Sequence, residues 1–121
     1  MSVVFENAYI RVEIEKSEIP WLKVFSVKEY KEFSQCDKKT KEEILSALDV
    51  IEKEMIEEFR PQKINIASFG NYVPQVHFHI MARFKEDSYF PEPMWGEKQR
   101  ESKLKIEKEY FYSTIGKKLS L

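Results

Sequence analysis

The chain has two histidines, His77 and His79, in the stretch "VPQVHFHIMAR" (Val73–Arg83), with Gln75 two residues before them. Val76, Phe78 and Ile80 alternate with Gln75, His77, His79 and Met81, the period of a β-strand whose successive side chains point to opposite faces. Side chains two apart on a strand lie about 7 Å apart on one face. Gln75, His77 and His79 therefore form a polar row on a strand whose other face enters a core, which gives the row a fixed aim. Three chemistries suit such a row. Imidazole can attack phosphorus and form a covalent intermediate. It can act as a general acid or base, since its ordinary pKa of about 6.5 lies near neutrality. It can also bind a metal. The plainest reading is a pair of surface histidines on a strand.

The metal reading has a model in cupins, where a His-x-His strand supplies two ligands and a Glu follows four or five residues beyond the second histidine. Here Arg83 and Phe84 fill those positions, Glu86 comes too late, and the glycine expected before the motif is displaced to Gly70. A long central helix is also foreign to a jelly roll. Zinc would need ligands from Cys36 or scattered carboxylates, and nothing in the sequence makes them converge. No metal and no cofactor is expected.

The elements that must position the row can be read from periodicity. "AYIRVEIE" (8–15) alternates Tyr9, Val12 and Ile14 with Arg11, Glu13 and Glu15, with Ile10 out of step, and predicts a half-buried strand. Trp21 to Val27 predicts a second strand with Lys23 facing water, followed by a short helix or turn over 28–33. From Thr40 to Phe59, Ile44, Leu48, Ile51, Met55 and Phe59 recur at helical spacing, and Leu45 and Ile56 widen the stripe. Thr40 and Glu43 have capping-box spacing, with Asp37 as the alternative cap. Arg60, before Pro61, is expected in extended geometry. Lys63–Ser68 predicts a third strand, Phe69-Gly70-Asn71 a turn, and Pro74–Phe84 a fourth strand. "SYFPEPMWG" (88–96) predicts an ordered aromatic loop, and the lysine-rich tail from residue 97 is helical in part, with Leu104, Phe111, Ile115 and Leu119 as a thin stripe. Strands flanking one long helix, with short hairpin-like connections, predict an α+β domain: an antiparallel sheet with a helix on one face.

Composition narrows the function classes. The 121 residues suit one domain, and no linker or repeat divides them. Charged residues make up 34%, yet the net charge is −1, which argues against a mainly electrostatic nucleic-acid binder. A single cysteine leaves no internal disulfide. The N-terminal residues lack the basic and apolar regions of a signal peptide, and no run approaches the roughly 18 apolar residues of a spanning helix. A cytoplasmic domain, with no membrane association, is expected.

The stretch "NIASFGNYVPQVHFHIMARFKEDSYFPEPMWG" resembles the histidine triad (HIT) superfamily, whose hallmark is His-φ-His-φ-His-φ-φ (φ apolar) preceded by Gly-Gln-x-Val-Pro or similar. Here the frame reads Gly70-Asn71-Tyr72-Val73-Pro74, then Gln75-Val76-His77-Phe78-His79-Ile80-Met81, without a gap. Asp87, Phe90, Pro91, Pro93 and Trp95 look like a bacterial subgroup with Gln in place of the first triad histidine and an Asp…Pro-x-Pro-x-Trp-Gly ending. The resemblance implies a sheet of about five antiparallel strands with one long helix. It implies His77 as the nucleophile that attacks the α-phosphorus of a nucleotide, and His79 as holder of phosphate oxygens or helper of the leaving group. Gln75 is expected to keep the backbone carbonyl that orients the nucleophile, and its amide could donate to phosphate. Asn71 stands where the family has a phosphate-contacting Gln, beside Gly70, and Asn65 where it often has an Asn on the preceding strand. Tyr72 replaces a Ser or Thr that assists the leaving group. Phe5, Tyr9 and Trp21 are candidates for a base-side wall. The implied activity is hydrolysis or transfer on a dinucleoside polyphosphate or nucleoside phosphoramidate, in a homodimer, with a nucleotide-binding sensor as the alternative. The chain lacks a Walker-type glycine loop, which disfavours ATP-driven motor chemistry.

Overall fold

The structure, a computed structural model, describes residues 2–121. Five strands form one antiparallel sheet: β1 (Val3–Glu6), β2 (Ile10–Ile14), β3 (Trp21–Ser26), β4 (Lys63–Ala67) and β5 (His77–Arg83), in the order β1-β2-β3-β5-β4. Helix α1 (Lys38–Phe59) enters between β3 and β4, a short 3-10 turn (Phe33–Gln35) precedes it, and α2 (Glu109–Leu119) closes the chain. The fold is α+β, as the sequence predicts. Among the described residues no helix is long and apolar enough to cross a membrane.

The helix-side core is built from one face of every central strand. Ile10, Val12, Leu22, Val24, Ile80 and Ala82 are buried against Ile44, Leu48, Ile51 and Met55 of α1. On β2 the buried face is led by Ile10, which keeps step with Val12; Tyr9 lies outside the strand. The α1 stripe is narrower than its sequence suggests. Leu45 and Ile56 are 57% and 49% exposed, because they fall on the same flank of the helix as Asp49 and Glu52, one side of the row that meets the sheet.

The helix ends correct two expectations. The cap is Asp37, whose carboxylate accepts the Thr40 N–H at 2.7 Å, so Thr40 sits inside the first turn and is not the capping residue. Arg60 is left-handed (φ 47°, ψ 55°) rather than extended, and its N–H reaches the Ile56 carbonyl at 3.1 Å. That left-handed terminus satisfies an orphan carbonyl of the last turn, which outweighs the proline's preference for an extended neighbour.

β1 has no counterpart in the sequence reading, because a four-residue edge strand shows little alternation. The tail is helical only from Glu109, and its residues divide between two cores. Phe111 and Ile115 join the α1 side, whereas Leu104 packs with Ile19, Trp21 and Met81 on the opposite face of the sheet. That opposite face carries the histidines.

Candidate active site

β5 lies between β3 and β4, so its main chain is paired on both edges and its side chains are fixed in direction. His77 stands beside Phe25 and His79 beside Lys23 across the β3–β5 pair. Both imidazoles are buried, 8% and 9% exposed, on the face away from α1. The strand proper begins at His77, so Pro74 and Gln75 belong to the loop that enters it.

Each imidazole is held by a partner with one possible role. Nδ1 of His77 lies 2.7 Å from the backbone carbonyl of Gln75. A carbonyl only accepts, so Nδ1 carries a proton, and in the neutral ring the lone pair is on Nε2. The ring stacks on Phe25, with centroids 4.8 Å apart and planes 17° apart, and the Ser68 hydroxyl donates to the His77 carbonyl at 2.7 Å. His79 accepts, at Nδ1, the indole N–H of Trp21 at 3.0 Å. Burial, then the neighbouring His77 and Lys23, push the His79 imidazole down to about 4, with Glu15 acting weakly the other way. It is neutral at physiological pH.

A cavity of about 330 Å³ opens over the pair, lined by the 69–73 loop, His77, His79 and Trp95. Its rim is aromatic and exposed: Phe69 is 56%, Tyr72 100% and Trp95 48% exposed. Trp95 packs edge-on against His79 (4.8 Å), Trp21 (5.3 Å) and Phe69 (4.8 Å). Gly70 has φ +77°, which a residue with a side chain rarely adopts, and this turns the loop across the histidines. Two cations occupy the same sheet face. Arg11 pairs with Glu13 at 2.7 Å and Lys23 with Glu15 at 2.9 Å, and both cations lie over the Phe25 ring.

Of the residues singled out in the sequence, His77, His79, Asn71 and Gly70 meet at this cavity. Gln75 supplies the carbonyl to His77, while its amide nitrogen donates to the Ser26 carbonyl at 2.5 Å. Asn65 faces a neighbouring cavity along β4, and its side-chain oxygen accepts from Arg83 at 2.9 Å. Phe5 and Tyr9 pack on the helix-side core, away from the histidines. Trp21 is at the site, as the partner of His79.

The sequence reading missed the device that seats Trp95. Arg83 and Asp87 form a fully buried pair, with guanidinium nitrogens 3.0 and 3.1 Å from the two carboxylate oxygens. Arg83 also donates to Asn65 and to the Glu92 carbonyl, and Asp87 accepts the N–H groups of Phe84, Tyr89 and Phe90. The pair organises the 84–96 loop from its inside. An Arg and an Asp four apart at a strand end were the available signal.

The model of the HIT domain family matches residues 4–86, more than half of the chain. This chain belongs to the HIT domain family. Solved structures share the fold of this HIT domain. A histidine triad protein from Bradyrhizobium japonicum is 25% identical, with a TM-score of 0.79 over 97% of this chain and 89% of its own. One from Marinobacter aquaeolei is 22% identical, with a TM-score of 0.78 over 98% and 88%. A hypothetical histidine triad nucleotide-binding protein from Sulfolobus tokodaii is 16% identical, with a TM-score of 0.61 over 98% and 80%. No curated protein matches. Membership of the family points to nucleotide binding and to hydrolase or transferase chemistry.

Proposed function

We propose that this HIT domain, a Gln-x-His-x-His variant of the triad, cleaves a dinucleoside polyphosphate such as diadenosine tetraphosphate, or a nucleoside phosphoramidate, at the α-phosphorus. The observation that carries the reading is the hydrogen bond from Nδ1 of His77 to the Gln75 carbonyl, which leaves the Nε2 lone pair available to the cavity. Nε2 attacks phosphorus. The bond from phosphorus to the departing oxygen or nitrogen breaks, and its electron pair leaves with that group. Water then attacks the nucleotidyl-histidine and displaces Nε2, releasing the nucleotide. His79 and the loop carrying Gly70 and Asn71 surround the phosphate oxygens, where positioned donors stabilise charge that develops in the transition state. Asn65 acts behind them, through Arg83. The exposed aromatic rim of Phe69, Tyr72 and Trp95 supports a substrate with a second planar group beyond the phosphate.

The test is hydrolysis of diadenosine tetraphosphate by the wild type and by the His77→Ala and His77→Asn variants. Loss of turnover in both, with a nucleotidyl group found on His77 by mass spectrometry in the wild type, is expected. Undiminished turnover in either variant would sink the nucleophile assignment.

A nucleotide sensor with little turnover is the second reading. It is favoured by the engagement of the Gln75 amide with Ser26 and by the absence of a Ser or Thr at position 72, which leave the departing group without an evident proton donor. Tight AMP binding without turnover of any nucleotide would select it. A homodimer is part of the proposal. The exposed Ile56 of α1 and Ile66 of the edge strand β4 support an interface along that edge.

A further inference from the structure

Trp21 has the donor that His79 needs and no freedom to turn away. Its ring is 9% exposed, set edge-on to Trp95, and its backbone N–H donates to the Tyr112 hydroxyl at 3.1 Å. An indole N–H can donate but never accept. At 3.0 Å from Nδ1 of His79 it therefore requires a lone pair there, and the proton of the neutral ring must sit on Nε2. His77 is held the opposite way by a carbonyl, which can accept but never donate. As neutral rings, the two histidines on one strand face thus present unlike atoms: a lone pair from His77 and an N–H from His79.

We propose that Trp21 is a positioning residue: by donating its indole N–H to Nδ1 of His79, it fixes that histidine as a neutral Nε2–H donor to the oxygens of a bound phosphate. The assigned role rests on the phosphoryl-transfer reading above; the tautomer does not. An imidazolium at His79 would set two N–H donors head to head. The groups around it add no compensation. His77 lies beside it on β5, Lys23 across the pair on β3, and Trp95 and Phe69 on the covering loops. The one acidic group that favours the cation, Glu15, is bound to Lys23 at 2.9 Å. His79 is thereby kept from acting as a cationic proton donor, and works as a fixed hydrogen-bond donor for charge on phosphate.

The experiment is nitrogen NMR of the imidazole rings across pH 5.5 to 8, together with kinetics on diadenosine tetraphosphate. In the wild type, His79 should show a protonated Nε2 and a bare Nδ1 throughout. A protonated Nδ1, or a titration of His79 inside that range, would overturn the proposal without any variant. Trp21→Phe keeps an aromatic ring and removes the donor. In it, His79 should mix tautomers, and kcat should fall roughly 10- to 100-fold, the range known for losing a group that orients a metal-bound histidine, with little change in KM. Unchanged ring signals in Trp21→Phe would also overturn it. Absence of turnover in the wild type defeats the function proposed above, and the ring-nitrogen spectrum still decides the tautomer.

Discussion

At the residue scale, His79 is folded in as a neutral group, so acid competes with folding. Its folded pKa of about 4 lies below the 6.5 of the unfolded chain. Between those values the unfolded state binds more protons, so this contribution is complete above about pH 6.5 and is lost as pH falls toward 4. Urea unfolding from pH 7 to pH 4 should show a decline attributable to His79 of at most about 3 kcal/mol, and His79→Gln should flatten that part of the curve. Asp87 acts lower on the scale. Burial pushes its carboxyl up, but the Arg83 guanidinium and the N–H groups of Phe84, Tyr89 and Phe90 more than offset this and hold it below its ordinary value. Its stabilisation is present above the unfolded carboxylate range and is lost only as pH falls through the lowered folded pKa. Asp87→Ala strands a buried guanidinium and should cost about 3–5 kcal/mol at pH 7, measured by denaturant titration. The pair His77 and His79 on one face could be read from the sequence because it has a period of two, whereas Gln75, counted in the same row, lies in the loop before the strand. The bond between Trp21 and His79 could not, since 58 residues separate them and only the sheet register joins them.

At the element scale, α1 was legible because its core positions recur over about four turns, from Ile44 to Phe59, and its flank was misread because Leu45 and Ile56 count as apolar wherever they point. Ile51 lies wholly inside the core, and Ile51→Ala should cost about 2–5 kcal/mol. The end of the chain was harder to read. The segment between residues 97 and 108 forms no helix or strand, and only from 101 do exposed and half-buried residues alternate, with Leu104 packed against the histidine face. α2 is pressed onto β1 at Gly116, where a Cβ would stand 2.6 Å from the Val4 carbonyl oxygen. In an isolated helix Gly→Ala gains up to about 1 kcal/mol. Here Gly116→Ala should lower the melting temperature, because backbone rather than a flexible side chain stands in the way. A raised melting temperature would show that β1 can retreat.

At the scale of the whole molecule, the two faces of the sheet have different work. One is sealed by helices and supplies most of the buried apolar surface. The other is closed by loops around the cavity. If the proposed dimer forms along β4, Ile66→Lys should return it to a monomer in sedimentation while leaving the fold intact by circular dichroism. A wild-type chain that sediments as a monomer at all concentrations would remove the dimer from the proposal. The sequence carried the sheet and the long helix because both repeat. The order of the strands and the covering of the histidine face depend on contacts between distant segments, which no local pattern records.

That strand order has a bearing on biosynthesis. β5 is the last strand to be translated, yet it belongs in the middle, joining the β1–β3 ribbon to β4. Both histidines are on it. A nascent chain halted before β5 has no imidazole at all, and its β4 has no strand to pair with. The two imidazoles therefore arrive on the strand that completes the sheet, and their aim is set only when β3 and β4 pair with it on either edge.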